Sequence, residues 1–183
     1  MIITLLNGNP LADNESFDGY LQALIKQLEL LDHKGVIFPL REMNIKHCIG
    51  CFGCWIKTPG YCIVRDDTSV ILERCINSDL VLLASPIIMG FTSALLKKVL
   101  ERFLPFLLPY FDLVDGEVHH MTRYDKFPLL GLLLEKGGDT DQMDIDIITD
   151  IYRRNAINFK TKLSFVGLNS EPIEETANGI GRI

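Results

Sequence analysis

A chain of 183 residues and 20.7 kDa, 48% hydrophobic and 23% charged, has the length of one domain and the balance of a globular protein with a substantial core. Its net charge of −6 and pI of about 5.2 leave no basic stripe for nucleic acid and no attraction to anionic membranes. Leu80–Phe91 is interrupted by Ser85 and Pro86, and Phe103–Phe111 by Pro105 and Pro109, so neither reaches the ~20 apolar residues that span a bilayer. The opening MIITLLNGNP has no basic residues and turns polar at Asn7. It reads as a buried strand rather than a signal peptide, and the expected compartment is the cytoplasm, where thiols stay reduced.

Hydrophobic periodicity predicts alternating strands and helices. Ile2–Leu6 is a short strand. Phe17, Tyr20, Leu21, Leu24, Ile25, Leu28 and Leu31 recur at helical steps, with Ser16 in the place of an N-cap. Gly35–Leu40 is a second strand, which Pro39 confines to a strand end or an edge. Residues 41–66 look irregular. Asp67–Asn77 is a helix, Leu80–Ala84 a third strand, and Ser93 caps a helix with Leu95, Leu96, Val99, Leu100 and Phe103 inward. Residues 105–127 read as a long connection, Pro128–Leu134 as a strand, Asp141–Lys160 as a helix, and Leu163–Leu168 as a strand followed by a polar tail. Five continuously apolar strands separated by helices imply a doubly wound, five-stranded parallel sheet in a three-layer α/β/α sandwich, all in one domain over 1–183.

Ligands of such sheets bind at the carboxyl ends of the strands, near the switch point. Three loops leave those ends. Residues 7–16 (NGNPLADNES) carry Gly8, Asn9, Pro10 and Ser16 into a helix N-terminus, which favours an anion but also describes a plain strand-to-helix turn. Residues 85–93 place Ser85, Pro86, Ile87, Ile88, Met89 and Gly90 together, an apolar loop that wants a flat ligand, a partner chain, or cover from residues 105–127. Residues 135–141 carry Gly137 and Gly138, which let backbone approach a ligand closely or merely turn a corner. A phosphate loop, an apolar loop and a glycine loop suit a mononucleotide with a flat ring.

These loops resemble those of the flavodoxin-like NAD(P)H-dependent FMN reductases and, within them, the iron–sulfur flavoproteins. The resemblance runs from Met1 to about Phe165. Gly8, Asn9 and Pro10 match the opening of that family's first loop and Ser16 stands at its threonine position. Ser85, Pro86, Ile87, Ile88, Gly90 and Ser93 follow its second loop, and Gly137 and Gly138 its third. Leu11 stands where arginine is usual, Glu15 where asparagine is usual, and Ile88 where tyrosine is common. The resemblance implies FMN held by the three loops, NAD(P)H as electron donor, and a small acceptor such as a quinone, or a redox protein, as electron acceptor.

Four of the five cysteines form the run C-x2-C-x2-C-x7-C at Cys48, Cys51, Cys54 and Cys62. The first three spacings are those of bacterial ferredoxins, with a longer last gap after Pro59-Gly60. In the iron–sulfur flavoproteins such a run holds one 4Fe–4S cluster, so the resemblance makes these four the candidate ligands. Tetrathiolate zinc, a redox dithiol at Cys51 and Cys54, and thiols without metal remain open readings. Cys75 lies on the apolar face of a helix as an inert core residue.

His119 and His120 are adjacent and so face apart, which favours surface or interface roles over joint ligation of a metal or a pyridine nucleotide. Phe103, Leu104, Phe106, Leu107, Leu108, Tyr110 and Phe111 crowd nine positions around two prolines. This predicts an apolar surface covered by a second copy, unless residues 112–127 fold back over it, and the family resemblance implies a homodimer or homotetramer. The function expected is an FMN-dependent oxidoreductase. The alternatives are an iron–sulfur electron carrier with its cysteine loop beside the flavin, and a flavodoxin-like binding or sensor module without FMN.

Overall fold

The computed structural model describes residues 1–114 and 116–183. In chain order the elements are β1 (Ile2–Asn7), α1 (Glu15–Leu30), β2 (Lys34–Pro39), α2 (Gly53–Ile56), α3 (Thr68–Ile76), β3 (Leu80–Ile88), β4 (Phe91–Thr92), α4 (Ala94–Glu101), β5 (Leu107–Val114), β6 (Glu117–Thr122), β7 (Leu129–Glu135), α5 (Gln142–Asn158), β8 (Leu163–Leu168) and α6 (Ile173–Gly181). Five strands pair in parallel in the order β2-β1-β3-β7-β8, and β4 folds back antiparallel on the end of β3. The five-stranded, doubly wound expectation holds.

Alternation along the strands fills two cores. Ile3, Leu5, Leu80, Leu82 and Leu133 face α1 and α6, packing with Phe17, Leu21, Leu24, Ala177 and Ile180. Leu6, Val81, Leu83, Leu132 and Leu134 face the other way, packing with Ile71, Leu96, Val99, Ile148 and Tyr152 of α3, α4 and α5. Burial on both sides is why the strand sequences carry almost no polar residues.

Three sequence expectations are corrected. The tail after Leu168 is not merely polar: α6 buries Thr176, Ala177 and Ile180 and completes the layer against α1. The connection 105–127 contains an antiparallel hairpin, β5–β6, whose register shifts between Leu107 and Phe111. Pro109, which has no N–H for a ladder, sits in that irregular stretch. Finally, Phe103, Phe106 and Leu107 are core residues rather than a surface patch. Phe106 packs edge-on against Phe103, Tyr124 and Phe127, so the end of the connection does fold back over its start. Tyr110, Phe111, Leu113 and Val118 of the hairpin remain exposed.

Candidate functional site

The three loops meet where β1 and β3, neighbours in the sheet, send their chains to opposite sides, which is the switch point of this strand order. The Gly8 N–H donates to the Ala84 carbonyl at 2.8 Å, joining the first loop to β3. The Asn14 amide donates to Glu135, joining the first loop to the third. A Cβ on Gly137 would stand 3.4 Å from the Ile87 carbonyl, and one on Gly90 would stand 3.1 Å from the Asp144 carboxylate, so the second loop lies against the third and against the start of α5.

The first loop is organised from within. Asn9 is fully buried. Its amide donates to Asp18 and to the Asn14 carbonyl, and its own carbonyl oxygen accepts from the Leu11 N–H. Asp18 also accepts from Asn7 and pairs with Arg41 at 2.7 Å. Burial works against the Asp18 charge, but Arg41, Asn9 and Asn7 outweigh it and hold the carboxyl below its ordinary range. Ser16 is not the helix cap. Asn14 takes that place, accepting from the Phe17 N–H, while Ser16 sits inside the first turn and donates its hydroxyl to Asn14. The Glu15 and Ser16 amides therefore lie in the first turn without intrahelical acceptors. Gly8 is required by packing, since a Cβ there would meet Leu96 at 2.8 Å and the Ala84 carbonyl at 3.0 Å. Pro10 is exposed at the loop's surface.

In the second loop Ser85 and Pro86 belong to β3 and are buried. The Ser85 hydroxyl donates to the Pro86 carbonyl and accepts from the Ser93 N–H, both at 2.8 Å, and the Ser93 hydroxyl donates to Gly8. Ile87 is buried, whereas Ile88 is exposed and Met89, at 94% exposure, is almost wholly in solvent. Met89 and Gly90 both have positive φ, the two-residue turn that matches strand twist between β3 and β4. In the third loop Gly137 donates to the Thr140 hydroxyl, and Gly138 has open space where a Cβ would be. First-turn amides, an exposed apolar tip and an uncrowded glycine at one switch point fit a mononucleotide with a flat ring.

The cysteine loop stands apart. Its base is closed by Asp66, which accepts from the Lys46 N–H and takes both Arg102 terminal nitrogens at 2.8 and 3.1 Å. Gly60 donates to the Cys54 carbonyl, and the Trp55 indole N–H donates to the Leu104 and Leu107 carbonyls, tying the loop to the base of the hairpin. Cys54 is buried, Cys48 and Cys62 half-buried and Cys51 exposed, all as free thiols. Burial raises the Cys54 pKa, and the Cys62, Cys48 and Cys51 thiols lie close enough to raise it further. Among the described residues, however, no three His, Cys, Asp or Glu side chains converge as a metal-binding group. The four thiols are soft donors in a shared neighbourhood, the donor type that a cluster or zinc takes, and in this structure they are spread rather than gathered around one point. The start of the loop reaches the first loop through Arg41 on Asp18, and its cysteine-bearing part runs on along α3. Cys62 lines a cleft of about 660 Å³ with Ile76 and Asn77, which precede β3, and Tyr124 and Lys126, which precede β7. That cleft runs the length of α3, from Ser69 to Asn77, between the cysteine loop and the segment that leads into β7. His119 and His120 do face apart: His119 is buried between Asn158 and Glu117, and the His120 ring lies against Trp55 and Phe111.

The Arg102–Asp66 pair, the Arg41–Asp18 network and the Glu135 bridge to Asn14 and Asn169 had no counterpart in the sequence reading. The available signal was charge inside apolar or loop stretches, as at Arg102 between Leu100 and Phe103.

No protein-family model matches the chain. Among curated proteins it is 28% identical over 102 residues to an iron–sulfur flavoprotein of Archaeoglobus fulgidus, covering 56% of this chain and 48% of that one. It is 35% identical over 105 residues to an iron–sulfur flavoprotein of Clostridioides difficile, covering 56% of this chain and 45% of that one. The chain thus spans about half the length of these relatives. In structure it is similar to an azoreductase from Bacillus anthracis, with TM-score 0.68 and 11% identity, over 100% of this chain and 99% of that one. It is also similar to an NADH:FMN oxidoreductase, with TM-score 0.60 and 15% identity, over 99% and 87% of the two chains. At these identities the structural likeness shows the fold, which is flavodoxin-like.

Proposed function

We propose that this flavodoxin-like chain is an NAD(P)H-dependent oxidoreductase that holds FMN across residues 7–16, 85–91 and 135–140 and reduces a small acceptor such as a quinone. The observation that carries this is the meeting of the three loops at the β1/β3 switch point. The names of proteins similar in sequence and in fold support it. The flavin supplies the electron chemistry when bound. The chain's own residues supply the rest. Amides of the first turn of α1 bind the phosphate, Ile88 and Met89 cover ring surface and exclude water, and Gly138 lets backbone approach. The Glu135 carboxylate, already engaged by Asn14 and Asn169, holds the first and third loops together. Fluorescence titration of the purified protein with FMN tests the reading. Saturable quenching is expected, and Gly138→Val, placed in open space, should weaken binding about tenfold with no change in melting temperature. Absence of any FMN binding by the parent protein overturns it.

A second reading, an electron carrier with a 4Fe–4S cluster at Cys48, Cys51, Cys54 and Cys62, is favoured by the cysteine spacing and by the curated relatives' names. Iron and sulfide analysis of anaerobically purified protein decides it. The exposed hairpin face, Tyr110, Phe111, Leu113 and Val118, supports association with a second copy. Five free cysteines suit a reducing compartment such as the cytoplasm.

A further inference from the structure

Leu133 of β7 packs toward α1 and α6, and side chains alternate along a strand, so Glu135 faces the same way. It is the single charged residue of β7 and lies half-buried at the strand's carboxyl end. Its two oxygens serve two different side chains. Oε2 accepts from the Asn14 amide, and Oε1 accepts from the Asn169 amide at 3.0 Å. A carboxylate has no hydrogen to give, so both asparagines must turn their NH2 groups toward it.

For Asn14 this decides where its amide oxygen goes. The oxygen faces the first turn of α1, where it accepts from the Ser16 hydroxyl at 3.1 Å and from the Phe17 N–H at 3.4 Å. The Asn14 backbone N–H donates to the Leu11 carbonyl at 3.4 Å, and its carbonyl accepts from the Asn9 amide at 3.2 Å. All of these are longer than the bond to Glu135, and none of them is charge-assisted. The cap is therefore oriented from β7 more than from the helix it caps. Capping alone does not call for asparagine. Aspartate caps about as well, and its charge suits a helix N-terminus. Here an aspartate would set a second carboxylate against Glu135.

We infer that Glu135 is the positioning residue for the phosphate end of the site. It fixes the Asn14 amide, and through it the first turn whose Glu15 and Ser16 amides receive the anion. The inference rests on the flavin reading above and adds a division of labour to it. The cap itself stays neutral, so no charge on residue 14 repels a phosphate, while the carboxylate that orients it stands one residue further off. Because Glu135 leads directly into Lys136, Gly137 and Gly138, the same side chain ties the glycine loop to the cap.

The test is a polarity swap with three variants: Asn14→Asp, Glu135→Gln and the two together. Asn14→Asp keeps a capping oxygen but opposes two carboxylates. Glu135→Gln keeps an oxygen for Asn14 and loses the charge. The double variant reverses the bond, with the amide at position 135 donating to the carboxylate at position 14. The first readout is hydrogen exchange of the Phe17 amide by NMR in flavin-free protein, with β3 amides reporting global opening. Asn14→Asp should speed Phe17 exchange about tenfold and Glu135→Gln about threefold, with the double variant within about twofold of the parent and β3 unchanged. The second readout is fluorescence titration with FMN and with riboflavin. FMN affinity should fall about tenfold in Asn14→Asp and recover at least about threefold in the double variant, while riboflavin, which has no phosphate, changes less than about threefold throughout. Asn14→Asp behaving like the parent, as capping preference by itself expects, overturns the inference. So does a double variant no better than Asn14→Asp, or an equal loss of riboflavin and FMN. A parent that binds neither flavin overturns the flavin reading, and the exchange cycle, which needs no ligand, shows separately whether Glu135 sets the cap.

Discussion

At the residue scale, the Arg102–Asp66 pair has the largest consequence for stability. Both side chains are essentially without solvent contact. Burial raises the Asp66 pKa, but the Arg102 guanidinium, the Lys46 amide and Thr68 outweigh it and bring it down to about 2. The unfolded value is higher, so the folded state binds the proton less readily. The stabilisation, about 2 kcal/mol, is whole above about pH 4 and is lost as pH falls through about 2. Replacing Asp66 with Asn leaves Arg102 buried and unpaired and should cost about 3 kcal/mol at neutral pH. Urea titrations at pH 7 and pH 3 check both statements, because the gap between parent and variant should narrow in acid. Gly8 provides a second case. Gly8→Ala pushes a methyl into Leu96 and the Ala84 carbonyl and should cost about 1–3 kcal/mol in the same measurement.

At the element scale, the turn between β3 and β4 sets the shape of the apolar loop. Gly90 at φ +73° tolerates no Cβ cheaply, so Gly90→Ala should cost about 1 kcal/mol. Met89 at φ +51° is already strained, so Met89→Asn should recover about 0.5 kcal/mol, since Asn enters this region more readily. Paired thermal melts of the two variants should move in opposite directions. The central strands were readable from sequence because burial on both faces leaves uninterrupted apolar runs such as LVLLA and LLGLLL. The carboxyl-terminal helix was not. Only Thr176, Ala177 and Ile180 of α6 are buried, small residues dilute its periodicity, and Gly179 and Gly181 argue against a helix by propensity. Tertiary packing decides there, for Gly179 leaves room for Phe165 at a distance a side chain would crowd. The hairpin β5–β6 was missed because Pro105 and Pro109 read as breakers, although one starts a helical turn and the other falls in a strand irregularity. The three loops at the carboxyl ends of the strands were legible by position alone. Their internal bonding, above all Asp18 with Arg41, Asn7 and Asn9, joins residues too far apart in sequence for spacing to reveal.

At the scale of the whole molecule, a two-stranded hairpin projects from a well-buried sandwich. Two strands alone are marginal in water, so the hairpin depends on what it touches. One side is supplied by α5, through Arg154 on Glu117 and Asn158 on His119, and by Lys160 on Asp112. The other side presents Phe111, Leu113 and Val118 to solvent. If two copies meet there, Phe111→Glu and Val118→Glu should move the mass measured by light scattering toward 20.7 kDa without lowering the melting temperature. Phe106→Glu should instead unfold the chain, because that ring lies in the core.

The position of Trp55 has an optical consequence. It is the sole tryptophan, stacked on Phe52 at 5.1 Å between ring centroids and tilted against His120 at the same distance, with its indole N–H on backbone carbonyls at the base of the hairpin. All indole emission from this protein therefore reports one junction, where the cysteine loop docks on β5–β6. Events in that loop, whether metal uptake or alkylation of a thiol, should shift this emission even where global circular dichroism stays constant. Loss of the junction before global unfolding should appear as an early red shift on heating, at a temperature below the loss of helical signal.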